Sequence, residues 1–339
     1  MLSKRLRWGI LGPGTIAHKF AAGLAESKTG VLHSAASRDE SRAKAFLKEY
    51  GGGQAYGDYQ ELLNDPDVDA VYIATPHPLH AQWAIQAARA GKHILCEKPA
   101  TMNLAEMKAV AAAVKSAGVA FLEAFMYRSH PYTAQWCKLV ASGAIGSVRR
   151  ITAHFAFDCG DQPESRLQAK HLGGGGILDI GCYTTSACRL IAGAAHGKAF
   201  LNPTELKAIG HLLDTTGVDG WTTALMRFDG DILAEAHCAV RLHVGSGITV
   251  YGSKGVMTIT EPWFANGKII VKEHQGEAQE IKSPPARHLY SYEIDALAEI
   301  VQTGQTPYPA MSLEDTLGNM ETLDRWRQEL GLTYECDVR

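Results

Sequence analysis

Gly12-Pro13-Gly14-Thr15-Ile16-Ala17 follows an apolar run and opens a helical one. The spacing is G-x-G-x-x-A. Gly12 permits a tight turn, Gly14 lets the backbone approach a pyrophosphate at the helix N-terminus, and Ala17 stands where helix and strand pack closely. A plain strand-to-helix connection has similar glycines, so the motif takes its meaning from the βαβ periodicity behind it. Roughly twenty residues on, an NAD site would carry an acid for the ribose diol; this chain reads Ala35-Ala36-Ser37-Arg38. A hydroxyl and a guanidinium suit a 2′-phosphate, which predicts NADP, with NAD as the alternative. The competing reading makes Arg38 a solvated surface charge and Asp39 a helix cap.

Two further segments carry proton chemistry. Leu95-Cys96-Glu97-Lys98-Pro99 ends a predicted strand, at the edge where open α/β sheets bind ligands. A lysine held there by the following proline can reach nicotinamide and substrate, although most lysines simply face solvent; the Lys98-Pro99 bond admits either isomer. Gly173-Gly174-Gly175-Gly176 precedes Ile177-Leu178-Asp179-Ile180-Gly181-Cys182-Tyr183. Four glycines permit close backbone approach, and the four-residue interval puts Asp179 and Tyr183 on one face of the predicted helix. A tyrosine with pKa about 10 exchanges protons near neutrality only where a neighbouring ammonium favours its phenolate. Read alone, a tyrosine such as Tyr183 is more often a packed aromatic.

The elements that must position these residues follow from periodicity. Strands are predicted at Arg7–Leu11, Val31–Ser37, Ala70–Ala74, His93–Cys96 and Ala120–Glu123, with helices near Ile16–Ala25, Asp39–Tyr50, His80–Ala90 and Asn103–Ala117. Asn103 and Glu106 resemble a capping box, and Gly91 and Gly118 sit where helix C-caps belong. After about residue 145 come strand-like runs at Val148–Phe157, Leu206–His211, Thr222–Phe228, Ile232–Val240, Ile248–Tyr251 and Ile269–Val271. Gly230-Asp231, Gly252-Ser253 and Asn266-Gly267 mark turns between them. Helices are expected at Gly176–Ile191, Tyr290–Thr303 and Leu313–Leu330. The fold class is therefore α/β, with two domains. Residues 1–125 form an N-terminal Rossmann domain with a doubly wound parallel sheet; residues 126–339 form a C-terminal α+β domain with a large, mostly antiparallel sheet, whose last helices can pack back on the first domain.

With 339 residues, 46% hydrophobic and 20% charged, the chain has core-forming material for two globular domains. Thirty-three basic against 36 acidic residues, net −3, give no electrostatic footprint for nucleic acid or an anionic membrane. No stretch is apolar for the roughly 18 residues a spanning helix needs. The lead-in Met1–Arg5 runs straight into Leu6–Gly12, too soon broken by glycine for a secretory core, and seven scattered cysteines read as reduced thiols. A cytoplasmic protein is expected. His77, His80, His130 and His171 lack metal-ligand spacing, so no metal is expected.

Together these segments resemble the glucose–fructose oxidoreductase, inositol dehydrogenase and rhizopine-catabolism (Gfo/Idh/MocA) family over nearly the whole chain. The resemblance rests on Gly12–Ala17, Ala74-Thr75-Pro76 followed by His80, Glu97-Lys98-Pro99, Glu123-Ala124-Phe125-Met126-Tyr127-Arg128 with His130-Pro131, Gly174–Tyr183, Val250–Gly255 and Tyr292-Glu293-Ile294. It is most similar to the branch of dimeric dihydrodiol dehydrogenases and NADP-dependent xylose dehydrogenases, which carries tyrosine where the inositol dehydrogenase branch has histidine. The resemblance implies an NADP-dependent oxidoreductase acting on a sugar or trans-dihydrodiol hydroxyl. Lys98 and Tyr183 are the implied catalytic pair, and Asp179 orients the substrate. Gly12, Gly14, Thr15, Ile16, Ser37, Arg38, Thr75, Pro76, His80, Glu97 and Lys98 are the expected cofactor residues; Arg128, His130, Phe157 and Asp158 join Asp179 and Tyr183 around the substrate. For Arg128 and His130 packing is the equal alternative. The resemblance also implies a homo-oligomer through the C-terminal sheet. His77 departs from the asparagine that relatives often carry there. NAD-dependent glycosidases and non-catalytic nucleotide-responsive regulators share the architecture; the intact Glu97-Lys98-Pro99 and Asp179/Tyr183 argue against a regulator.

Overall fold

The computed structural model describes residues 5–338; Met1–Lys4 of the lead-in lie outside the described residues. The first half runs β1 (Leu6–Leu11), α1 (Thr15–Glu26), β2 (Gly30–Ala36), α2 (Glu40–Glu49), β3 (Gln54–Tyr56), α3 (Tyr59–Asn64), β4 (Ala70–Ile73), α4 (His80–Arg89), β5 (His93–Glu97), α5 (Leu104–Ala117) and β6 (Phe121–Ala124). The second half runs α6 (Pro131–Ala141), β7 (Val148–Asp158), α7 (Cys182–Ala195), β8 (Glu205–Leu212), β9 (Asp219–Phe228), β10 (Ile232–Ala239), β11 (Arg241–Gly252), β12 (Gly255–Thr260), β13 (Ile269–Glu273), β14 (Ala278–Ile281), α8 (Leu289–Thr303) and α9 (Leu313–Glu329). Residue contacts divide the chain into two units. The first reaches Thr101 and adds Ala105–Ser129 and Ala286–Leu313, so it takes in α8; the second holds Met102–Leu104, His130–Pro285 and the chain from Glu314.

The first unit is a six-stranded sheet in the order β3-β2-β1-β4-β5-β6, parallel at every pairing. Parallel strands are covered on both faces and read as continuous apolar runs; Ala70–Ile73 is buried at all four residues. Helix boundaries follow local chemistry. Asp39 accepts from Ser41 N at the start of α2, Asp58 accepts from Gln60 N and Glu61 N at α3, and Gly91 and Gly118 take left-handed φ of 71° and 65° just past α4 and α5. Helix α8 packs against α1, where a Cβ at Gly23 would lie 2.6 Å from Tyr290 Cβ. The sequence reading lacked β3 and α3, three and six residues long, which fall below the length at which periodicity declares itself.

The second unit is an eight-stranded sheet in the order β14-β13-β12-β11-β7-β10-β9-β8. It is antiparallel except where β10 runs parallel to β7, with His237 opposite His154. Strand β9 alternates: Thr222, Ala224, Met226 and Phe228 are buried, while Trp221, Leu225 and Arg227 are exposed. Helix α7 lies on β7 and β10, and Trp326 of α9 donates its indole N–H to Thr222 Oγ1 at 2.9 Å. The opposite face carries exposed Ile209, Leu225, Leu233 and Tyr251. Helix α6 was absent from the sequence reading although its start is marked by Pro131 at the first turn and a His130 cap. Where one helix was expected over Gly176–Ile191, a π-helical turn, Ile177–Gly181, precedes α7.

Candidate active site

At the nucleotide-binding edge, the strand order reverses between β1 and β4, which is where doubly wound sheets open a crevice. Gly12 has φ +87°, and a Cβ there would meet Ala74 O at 3.1 Å, so the fold itself demands glycine. Gly14 is different. Its φ is an ordinary −93°, and no protein atom lies within 4 Å of where its Cβ would be. Its bare backbone leaves room for something other than protein. Helix α1 has no side-chain cap, its first residues Thr15 and Ile16 are exposed, and Ala17 is wholly buried. The orphan N–H groups of such a helix start suit a pyrophosphate. Nearby in the topology, past β4, Thr75 is buried with its hydroxyl unpartnered among the described residues, and Pro76 is exposed. These features fit a dinucleotide.

Past β2, Ser37 is buried and its hydroxyl accepts from Asp39 N at 3.4 Å. Arg38 is exposed, and its guanidinium enters no ion pair or hydrogen bond among the described residues. The same is true of Arg42, four residues on, which the sequence reading did not single out. Burial pushes the Tyr59 hydroxyl above its ordinary pKa while the charges of Arg38 and Arg42 pull against it. Tyr59 in turn stands edge-on to Trp83 at 4.9 Å. Two unspent guanidiniums suit a phosphate monoester.

Lys98 is half-buried and joined to Pro99 by a cis peptide bond. Glu97 turns inward rather than toward a ligand: its carboxylate accepts from the Tyr72 hydroxyl and, at 3.3 Å, from Lys98 N. Tyr72 stacks on Phe20 with ring centroids 3.9 Å apart. Behind it, burial and the Glu97 charge push the wholly buried Glu293 carboxyl well above the usual range. The Glu97 carboxylate, expected among the cofactor residues, supports the strand end. His80, expected there too, faces the protein. It is wholly buried, with Nδ1 2.8 Å from Pro99 O and Nε2 2.8 Å from Thr75 O, and burial lowers its pKa. It clasps the two loops past β4 and β5 and does not reach outward to a ribose or nicotinamide.

In the second unit, Asp179 and Tyr183 lie on either side of the change from π to α winding. The extra residue in the π turn replaces the single α-helical face expected for them, a deviation often found at functional sites. Asp179 is 4% exposed and pairs with Arg166 Nη1 at 3.0 Å, while Arg166 itself is 60% exposed. Tyr183, also 4% exposed, is met edge-on by Phe155 at 5.6 Å and Trp263 at 5.8 Å. Half-buried Phe157 stands 6.3 Å from Phe155. Arg166 and Trp263 were not found from sequence; neither belongs to a motif.

Three expected substrate residues have other occupations. Asp158 is half-exposed, and its carboxylate accepts from Gly160 N at 2.9 Å and Arg241 Nε at 3.2 Å, which holds it below the usual range. Arg128 is buried and donates from Nε to Pro309 O at 2.7 Å. His130 caps α6, accepting from Tyr132 N at 3.1 Å, and burial drives its pKa down to about 4. No group of three or more His, Cys, Asp or Glu residues is placed to hold a metal among the described residues.

Comparison with known proteins decides the family. Residues 6–125 match the oxidoreductase family with an NAD-binding Rossmann fold, and residues 133–258 match the Gfo/Idh/MocA C-terminal domain. The chain belongs to the Gfo/Idh/MocA family of oxidoreductases. A trans-1,2-dihydrobenzene-1,2-diol dehydrogenase from Mus musculus is 31% identical, over 98% of this chain and 99% of its own. A D-xylose 1-dehydrogenase (NADP(+)) from Haloferax volcanii is 32% identical, over 98% and 100%. Among solved structures, a 3-ketoreductase from Actinomadura kijaniata in complex with NADP and TDP-benzene superimposes with a TM-score of 0.84 at 28% identity, covering 96% of this chain and 98% of that one. No helix among the described residues is long and apolar enough to cross a membrane.

Proposed function

We propose that this oxidoreductase moves a hydride between NADP and the hydroxyl-bearing carbon of an aldose or a trans-dihydrodiol, with Tyr183 as the acid–base group and Lys98 as its ammonium partner. The observation that carries the reading is Tyr183. It is a nearly buried phenol at a π-to-α junction beside Asp179, in a chain whose relatives over its full length are dehydrogenases of a diol and of an aldose.

The nicotinamide supplies the hydride acceptor. The open backbone at Gly14 and the uncapped start of α1 take the pyrophosphate; Ser37, Arg38 and Arg42 take the 2′-phosphate. Tyr183 Oη accepts the proton of the substrate hydroxyl in the oxidative direction and returns it in the reductive one. The Lys98 ammonium favours the phenolate that this exchange requires. Asp179, held by Arg166, orients a neighbouring hydroxyl. Phe155 and Trp263 confine the phenol and restrict water around it. The apolar residues on the uncovered sheet face support self-association through that face, and seven free cysteines support a reducing, cytoplasmic setting.

The test is reduction of NADP⁺, with NAD⁺ in parallel, against aldopentoses, aldohexoses, inositols and trans-cyclohexanediol. Turnover with NADP⁺ and one substrate class is expected. Release of sugar from a glycoside without net change in cofactor would contradict the dehydrogenase.

A further inference from the structure

The glycine run before Tyr183 is spent on protein. A Cβ on Gly174 would lie 2.8 Å from Gln168 C; one on Gly175, where φ is +115°, would lie 2.3 Å from Asp219 Oδ1; one on Gly176 would lie 3.1 Å from Asp219 Oδ2. Gly174 is thus pressed against the Gln168–Ala169 backbone, and Gly175 and Gly176 against a single carboxylate. Asp219, at the start of β9, is wholly buried, and its Oδ2 accepts from Ile177 N at 2.7 Å. Oδ1 has no hydrogen-bond partner among the described residues. On the other side of the run, Tyr334 Oη donates to Gly174 O at 2.5 Å.

Ile177 opens the π turn that carries Asp179 and leads into Tyr183. The first N–H groups of a helix have no acceptor within it, and here no cap from a neighbouring residue supplies one. We propose that Asp219 is a positioning residue for the proton-transfer end of the site: by taking the N–H group of Ile177 and packing against Gly175 and Gly176 it fixes where the Asp179–Tyr183 turn begins, and Tyr334 closes the clamp from the opposite side. The carboxylate also feels the charge of Arg327 of α9, whose guanidinium Nη groups are taken by Asp324 and Asp337, while the Tyr334 hydroxyl is taken by Gly174 O and the buried Cys238 thiol lies beside it; none of these replaces the backbone donor it holds. Asp219 lies 42 residues from Ile177, so this clamp joins a strand to a helix start across the unit and is not a local cap.

The inference rests on Tyr183 being the acid–base group, and the experiment separates the two. Asp219→Ala, Asp219→Asn, Tyr334→Phe and Tyr183→Phe are compared with the full-length enzyme for kcat, for KM of the sugar or diol, and for NADPH dissociation constant by fluorescence titration. Asn retains one carbonyl oxygen for the Ile177 N–H. Asp219→Ala should lower kcat of the order of 10- to 100-fold, as a displaced reacting group does, with the NADPH dissociation constant unchanged. Asp219→Asn should recover most of that loss, and Tyr334→Phe should lower kcat severalfold. Should Asp219→Ala not fold, Tyr334→Phe and Asp219→Asn still decide. Wild-type kcat in Tyr334→Phe and Asp219→Ala, or in Tyr334→Phe with no intermediate effect in Asp219→Asn, overturns the clamp while Tyr183→Phe remains inactive. Unchanged turnover in Tyr183→Phe overturns the reading of the site itself, and the clamp's role with it.

Discussion

The backbone beside Lys98 and the backbone beside Tyr183 are both held by a wholly buried titratable side chain, but of opposite hydrogen-bonding character. Past β4 and β5 the groups left over are carbonyls, Thr75 O and Pro99 O, and a histidine meets them with its ring nitrogens. At the start of the π turn the group left over is the Ile177 N–H, and an aspartate meets it with its carboxylate. The difference is dictated by the elements. Loops leaving strand ends expose carbonyl acceptors that need a donor, whereas helix starts expose donors that need an acceptor. In each case burial opposes the charged form of the clasp: it lowers the pKa of His80 and raises that of Asp219 to about 7.

The largest expected effect follows from Asp219. Its folded pKa, about 7, lies above the ordinary 3.8, so the folded state holds a proton that the unfolded chain releases first. The stability this contributes is complete below about pH 4, falls by up to about 1.4 kcal/mol per pH unit, and is lost once the pH passes about 7. Thermal unfolding of the wild type and Asp219→Asn across this window should show the slope in the first and its loss in the second. Parallel curves would mean that the carboxylate is solvated as in an ordinary aspartate. Next, His80→Leu removes the single N–H that a neutral imidazole gives to Thr75 O or Pro99 O and should cost about 1–3 kcal/mol, read from denaturant unfolding; unchanged stability would remove the histidine half of the comparison. Smaller in stability terms, Arg38→Ala should weaken NADP⁺ binding roughly tenfold or more through loss of charge-assisted hydrogen bonds worth about 1.5–3 kcal/mol, with NAD⁺ binding unaltered. Equal loss for both nucleotides would return Arg38 to a surface charge.

Much of the first unit was legible in the sequence. Gly12 and Ala17 sit as the motif requires, the strands fall in the predicted order, and the continuous apolar runs announce a parallel sheet because both faces are covered. In the second unit the succession of strand-like runs and the turn signals between them pointed to an antiparallel sheet, and the parallel contact of β7 with β10 did not show because it joins strands far apart in the chain. The site was legible only where a residue's role is local. Asp39 as a cap could be read from its neighbours. The inward turn of Glu97 depends on Tyr72, 25 residues earlier, and the clasp of His80 depends on a carbonyl 19 residues later. Asp219 is invisible for the same reason, since a side chain bonded to distant backbone leaves no periodicity. The glycine run was visible, but its reason was not: what needs the close approach at Gly175 is a carboxylate of the protein.

The most direct test of the account is Tyr183→Phe, assayed for NADPH formation at saturating NADP⁺ and for NADPH binding by fluorescence. Removing a proton-transfer group should slow turnover by about 10²–10⁴-fold, while the NADPH dissociation constant stays at the wild-type value. A turnover number equal to that of the wild type would contradict the account, because the chemistry assigned to the π-to-α junction would then reside elsewhere.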